Sequence, residues 1–181
     1  MTDRLPLVIY MKKSAYFIAT PLGKMLAFAE KGAITELGFV GQKYFHSDAS
    51  SCGTAAKEPV LLALENWLAD YFAGKNRRPE FPLNPKGTPF REAVWKLLLK
   101  IPYGKTTTYG DLAKKIAEQR NLVRMSAQAI GGAVGHNPIS ILVPCHRVLG
   151  ADGSLTGYAS GLDKKEFLLQ LEGIRKVECE R

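Results

Sequence analysis

The stretch Ile141-Leu142-Val143-Pro144-Cys145-His146-Arg147-Val148 constrains this chain more than any other. Its aliphatic side chains favour burial, and residues 139–143 are expected to form a short buried strand or extended run. Pro144 fixes its own backbone angle and turns the chain. A thiol and an imidazole are thereby delivered side by side at the end of an apolar segment. A thiol of ordinary pKa is mostly protonated at neutral pH, while the thiolate is the nucleophile. Cys145 therefore needs a base or a positive environment, and His146 is the nearest candidate. Neighbouring residues do not share a helix face, but in a turn both can reach one water or one small pocket.

His146 needs a carboxylate to orient it. Asp152 lies in the turn Gly150-Ala151-Asp152-Gly153, and Asp163 and Glu166 read as a capping pair for a helix. Glu172 stands at that helix's end, just before Gly173, where a negative charge is unfavourable unless partnered. Protonated His146 is the expected partner. Phe167, Leu168 and Leu171 are expected on the inner face of the same helix. Read singly, Cys145 and His146 are equally compatible with an inert core.

The chain has 181 residues, enough for one domain or two small ones. Lys and Arg number 25 against 17 Asp and Glu, a formal charge of +8 that attracts polyanions without selecting nucleic acid among them. No apolar run is long enough to cross a bilayer, and the N-terminus lacks a small-residue cleavage site, so a cytoplasmic protein without membrane contact is expected. Cys52, Cys145 and Cys179 are odd in number and widely spaced. That pattern fits neither a disulfide framework nor a Cys-rich zinc site, and Cys52 and Cys179 read as incidental thiols. His46 and His136 have no metal-ligand spacing, so neither metal nor cofactor is expected.

Residues 5 to about 45 read as an antiparallel meander, with runs at Tyr16-Phe17-Ile18-Ala19, Met25-Leu26-Ala27-Phe28-Ala29 and 34–40 separated by turns. Residues 46–57 read as loop. A helix over 59–73 opens on Pro59, is followed by Gly74, and presents Leu64, Trp67, Leu68, Tyr71 and Phe72 on one face. The proline-rich stretch 75–89 is the expected linker, dividing residues 1–84 from 85–181. A second helix over 89–100 buries Phe90, Val94, Leu97 and Leu98. Thr108 caps a third, in which Asp111 suits the positive end and Leu112, Ala113 and Ile116 face inward. Ser126 is the expected cap of a fourth, Ala127-Gln128-Ala129-Ile130-Gly131-Gly132-Ala133-Val134-Gly135. Each helical glycine costs about 1 kcal/mol relative to alanine. Such a thin helix lies close either to a neighbouring helix or to a DNA backbone, and in a basic helix-turn-helix the second choice implies sequence-independent minor-groove binding.

Pro144-Cys145-His146-Arg147-Val148 resembles the signature of the O6-alkylguanine-DNA alkyltransferases, also called methylated-DNA–protein-cysteine methyltransferases. The likeness extends through Lys86-Gly87-Thr88-Pro89-Phe90, Ile101-Pro102-Tyr103-Gly104, Thr108-Tyr109, Gly131-Gly132-Ala133, Asn137-Pro138, Gly157-Tyr158 and Leu171-Glu172-Gly173, and more faintly to Pro21-Leu22-Gly23. The resemblance implies an α/β N-terminal domain with an antiparallel sheet, ribonuclease-H-like, and a mainly helical C-terminal domain with a winged-helix-like helix-turn-helix. It implies a monomer that binds double-stranded DNA containing O6-alkylguanine, flips the damaged base, and moves the alkyl group from guanine O6, or thymine O4, to Cys145 once per molecule. His146 would act through a water with Glu172 behind it. Asn137 would brace the turn, and Tyr109 would lie over the flipped nucleotide or protonate guanine N3. Val143, Val148, Tyr158, Ala159 and Ser160 would line the base pocket. Thr108, Gly110, Ser126, Ala127, Gln128, Gly131 and Arg147 would face DNA. Two positions depart from the family's pattern: Gln128 stands where many relatives carry arginine, and Ser160 where many carry glycine, which would narrow the pocket. The competing readings are a helix-turn-helix regulator without chemistry, a cysteine hydrolase or acyltransferase, and a damage sensor, which would lack the reactive cysteine.

Overall fold

The computed structural model describes residues 13–45 and 58–174. The expected loop at 46–57, the segment before residue 13, His46, Cys52 and Cys179 lie outside them.

The meander expected near the N-terminus is a three-stranded antiparallel sheet in the order β1 (Ser14–Thr20), β2 (Gly23–Glu30), β3 (Ala33–Phe39). Lys31 and Gly32 join β2 to β3 with φ of 53° and 73°, and two left-handed residues match the twist of a two-residue hairpin. Helix α1 (Pro59–Phe72) opens on the expected proline and packs across all three strands through Val60, Leu61, Leu64 and Leu68.

The remainder is mainly helical: α2 (Pro89–Leu98), α3 (Tyr109–Gln119), α4 (Ala127–Gly135) and α5 (Leu162–Leu171). Thr88 caps α2 and Thr108 caps α3, each accepting from the amide three residues on. Ser126 occupies the N-cap position of α4 but makes no capping bond. Trp95 of α2 is buried, and its Nε1 donates to Ala133 O of α4 at 2.9 Å, tying the second helix of the helix-turn-helix to the first helix of this half. A two-stranded parallel pair, β4 (Thr107–Thr108) with β5 (Val148–Leu149), links the start of α3 to the residues after Cys145. No local signal announces strands of two residues.

Two expectations about α5 are corrected. Asp163 and Glu166 form no capping pair, because Gly161, with φ of 102°, is the N-cap and no side chain bonds there. Its buried face carries Lys165, Leu168 and Leu169, while Phe167 is exposed.

The halves are joined by backbone as well as side chains. Leu37 N on the edge strand β3 donates to Pro138 O at 2.8 Å, and Ser140 N donates back to Leu37 O at 2.7 Å. The sheet edge thus holds the segment leading to Cys145. Among the described residues, no helix is long and apolar enough to cross a membrane.

Candidate active site

The run 139–143 is buried as expected, but it is a tight turn rather than an extended segment. Ile141 has φ of 70°, a left-handed conformation that costs a β-branched residue energy and persists only where the surroundings enforce it. Here they do: Leu142 N donates to Ser140 O at 2.8 Å and Val143 N to Ile139 O at 3.0 Å. Asn137 completes the brace. Its Nδ2 donates to Val143 O at 2.7 Å and to Cys145 Sγ at 3.1 Å, and its Oδ1 accepts from Ile139 N at 3.0 Å. Cys145 then begins a single 3-10 turn ending at Arg147.

Cys145 is 6% exposed. Burial pushes its pKa up, outweighing the Asn137 donation and the Lys165 charge that favour the thiolate. The resting sulfur is therefore a thiol, and its proton has to be taken as the reaction occurs.

Glu172 lies directly behind His146. Its Oε1 accepts from His146 Nε2, Arg147 Nη2 and Tyr71 Oη, all at 2.8 Å. Its Oε2 accepts from Arg147 Nε at 2.8 Å and from Gly104 N at 3.2 Å. Gly104 reaches it with φ of 70°, and a Cβ there would come within 3.1 Å of Glu172 O, so glycine suits the position on both counts. Burial opposes the charge on Glu172, but the bonds from His146 and Arg147 prevail and bring its pKa down to about 2.

This geometry corrects two expectations. Arg147 does not face DNA: its guanidinium is spent on both Glu172 oxygens and on Ile101 O, at 2.7 Å. Nor does Glu172 need a protonated His146, because Arg147 supplies the permanent cation. Burial lowers the His146 pKa further than Glu172 restores it, and the nearby Arg147 and Lys165 charges push the same way. The imidazole is neutral, with Nε2–H directed to Glu172. Nδ1, buried and without a hydrogen-bond partner among the described residues, keeps its lone pair. Asp152 accepts from Ser154 within its own exposed turn and has no part in this network.

On the other side of the sulfur is a small cavity of about 10 Å³, on the order of one water molecule. Cys145, Asn137, Tyr158, Ala159 and Ser160 line it together with Gln42 and Ser140. Val143 and Val148, expected in its wall, are 0% exposed core residues, and what they offer the site is backbone: Val143 O accepts from Asn137 and Val148 O from Lys165. Tyr109 Oη donates to the carbonyls of Thr156 and Gly157 at 3.1 and 3.2 Å, so it supports the loop that closes the cavity. Lys165, fully buried, donates from Nζ to Val148 O at 2.5 Å and Thr156 O at 2.6 Å, and burial brings its pKa down to about 8.

Ser126, Ala127 and Gln128 are exposed, and Thr108, Gly110 and Gly131 half-buried. Ile130, Ala133 and Val134 point inward against α2 and α3, so α4 is thin on its outer side and packed on its inner side. Gly131 lies 3.9 Å from the Tyr109 ring by its missing Cβ, while a side chain at Gly132 would meet nothing. His136 Nδ1 is 2.7 Å from Gly132 O, and the ring stacks on Tyr44 at 4.1 Å. Among the described residues no cluster of three or more His, Cys, Asp or Glu could hold a metal ion.

Residues 12–85 match the model of the 6-O-methylguanine DNA methyltransferase, ribonuclease-like domain, and residues 89–174 that of the 6-O-methylguanine DNA methyltransferase, DNA binding domain. A methylated-DNA–protein-cysteine methyltransferase of Methanosarcina acetivorans is 42% identical, over 85% of this chain and 94% of its own length. The Haemophilus influenzae protein of the same name is 37% identical, over 90% of this chain and 87% of its own. The O6-methylguanine methyltransferase of Mycobacterium tuberculosis superposes with a TM-score of 0.77 at 36% identity, covering 92% of this chain and 96% of that one. A crystal structure of the Mycobacterium tuberculosis OGT in complex with DNA gives 0.75 at 36% identity, over 88% and 92%. The chain belongs to the 6-O-methylguanine DNA methyltransferase family.

Proposed function

We propose that this chain repairs DNA by direct reversal, moving a methyl or other small alkyl group from O6 of a flipped guanine to Cys145 Sγ. The observation that carries the reading is the neutral, buried His146, held by Glu172 through Nε2 and left with an unspent Nδ1 lone pair one residue from the nucleophile. A general base needs that combination of fixed orientation and free lone pair. The thiol proton passes to Nδ1 through a bridging water, sulfur attacks the alkyl carbon, the carbon–O6 bond breaks, and guanine departs with its electron pair and takes up a proton. The thioether has no hydrolytic route back, so each molecule acts once.

The exposed face of α4 meets the minor groove by backbone and small side chains, which suits lesions in any sequence. Flipping is cheapest for a poorly paired base, and that difference supplies part of the selectivity. The reading includes a monomer in the cytoplasm, with the domain division at residues 84 and 85. Incubation with duplex containing O6-methylguanine should add one methyl to the peptide bearing Cys145, seen by intact-protein and peptide mass measurement. Cys145→Ala should take up none and still bind DNA. A Cys145→Ala variant that still takes up the methyl group would place the chemistry elsewhere, and a natural chain that binds the duplex and takes up none would be a regulator.

A further inference from the structure

Gln42 belongs to the sheet domain, yet it forms part of the cavity wall beside Cys145. Its carboxamide oxygen gathers Ser160 Oγ at 2.5 Å, Ser140 Oγ at 3.1 Å and Phe39 N at 3.3 Å. Ser140 is on the braced turn and Ser160 on the closing loop, so a single atom of the other domain ties together the two walls of the cavity. The same loop adds two further ties. Lys43 N donates to Ala159 O at 3.1 Å, and Tyr44, with φ of 62°, stacks on His136 at the end of α4. Gln42 is 8% exposed. Ser160, expected to narrow the pocket, lines the cavity, and its hydroxyl is also tied to Gln42.

We infer that Gln42 is a specificity-determining positioning residue, a latch that holds the 157–160 loop against the reactive turn and limits the size of the alkyl group accepted. The inference rests on the repair reading. The space beside Cys145 is tight and is walled on one side by residues 157–160, so a bulkier substituent presses that wall further outward than a methyl group does. The bonds that resist the movement are neutral hydroxyl and amide contacts, each modest enough to break and re-form. A methyl group needs little extra space and benefits from a firmly placed wall. A benzyl group needs the wall further out and works against the latch.

The test compares single-turnover rate constants for duplexes carrying O6-methylguanine and O6-benzylguanine, using the full chain, Gln42→Ala and Gln42→Glu. Gln42→Ala should raise the benzyl-to-methyl ratio about tenfold, the effect of losing two neutral hydrogen bonds, with the affinity for undamaged duplex unchanged. Gln42→Glu keeps the acceptor oxygen and should restore the original ratio. An unchanged ratio, or an equal fall for both adducts, overturns the latch. A full chain that accepts no methyl group at all refutes the repair reading itself, an outcome separate from any change in ratio.

Discussion

The two sides of Cys145 are built from different kinds of interaction. Behind His146, Glu172 accepts five hydrogen bonds from four residues, three of the bonds from Arg147 and His146 at 2.8 Å. Such charge-assisted contacts are about twice as strong as neutral ones, and the Arg147 fork adds a fixed orientation. On the cavity side the contacts are hydroxyl to amide, tyrosine to carbonyl and backbone to backbone. Lys165 is the charged exception, and its hydrogen bonds go to the carbonyl oxygens of Val148 and Thr156. Proton removal needs a base that does not wander, whereas base admission needs a wall that yields. The molecule places its strong interactions where geometry must persist and its weak ones where it must change.

Removing Glu172 breaks the rigid side most severely. Glu172→Ala leaves the Arg147 guanidinium without its carboxylate and frees the His146 ring. Breaking a buried pair from one side costs about 3–5 kcal/mol. Urea denaturation should register that loss, and alkyl transfer should become undetectable on the time scale of the unmodified chain. A loss below about 1 kcal/mol, the size of a surface pair, would mean that the network is ornamental.

This rigid side was only half legible in the sequence. Cys145 and His146 are adjacent, and Glu172 betrays itself as a negative charge at a helix C-terminus, a place that calls for a partner. Arg147 is in the signature too, but its side chain could be placed only by knowing that the 3-10 turn aims it at Glu172 rather than outward. Tyr71 and Gln42 carried no signal. Tyr71 looks like any apolar position of α1, and Gln42 like any polar residue after a strand. Their partners lie 101 and 118 residues away, Glu172 for Tyr71 and Ser160 for Gln42. Periodicity reports which face of an element is buried but not which element of the other domain it meets. The helices and the meander were legible because they repeat locally. The turn at 139–143 was not, because Ile141 adopts a conformation its own side chain disfavours.

Acid should dismantle the rigid side in a defined window. The Glu172 pKa falls from an ordinary value of 4.5 to about 2 on folding. A depressed carboxyl stabilises the fold above its unfolded pKa, and that contribution is lost as pH falls through the folded one. The interval corresponds to about 3 kcal/mol, lost between pH 4.5 and 2. His146 adds in the same direction, starting near its ordinary 6.5, because the folded state resists its protonation. Stability measured by denaturant titration from pH 7 to pH 3 should therefore fall more steeply for the natural chain than for Glu172→Gln, which has no carboxyl to titrate. Parallel curves would place the acid sensitivity elsewhere.

The smallest effect is expected outside both sides, on the exposed face of α4. Gln128 is exposed and contacts neither the Glu172 network nor the cavity wall. If it fills the space of a flipped base, it does so with an uncharged amide that hydrogen-bonds but stacks less well than a guanidinium. Gln128→Arg should then stabilise the flipped state and speed repair of O6-methylguanine duplex several-fold, while adding about one unit to the salt slope of DNA binding. Because the residue acts on how often the base arrives and not on what the wall admits, the benzyl-to-methyl ratio should stay fixed. A slower arginine variant would show that Gln128 is already the better occupant. A changed ratio would show that α4 and the 157–160 loop are coupled, through the Tyr44–His136 stack at the helix end, and that the yielding side of the cysteine extends to the DNA surface.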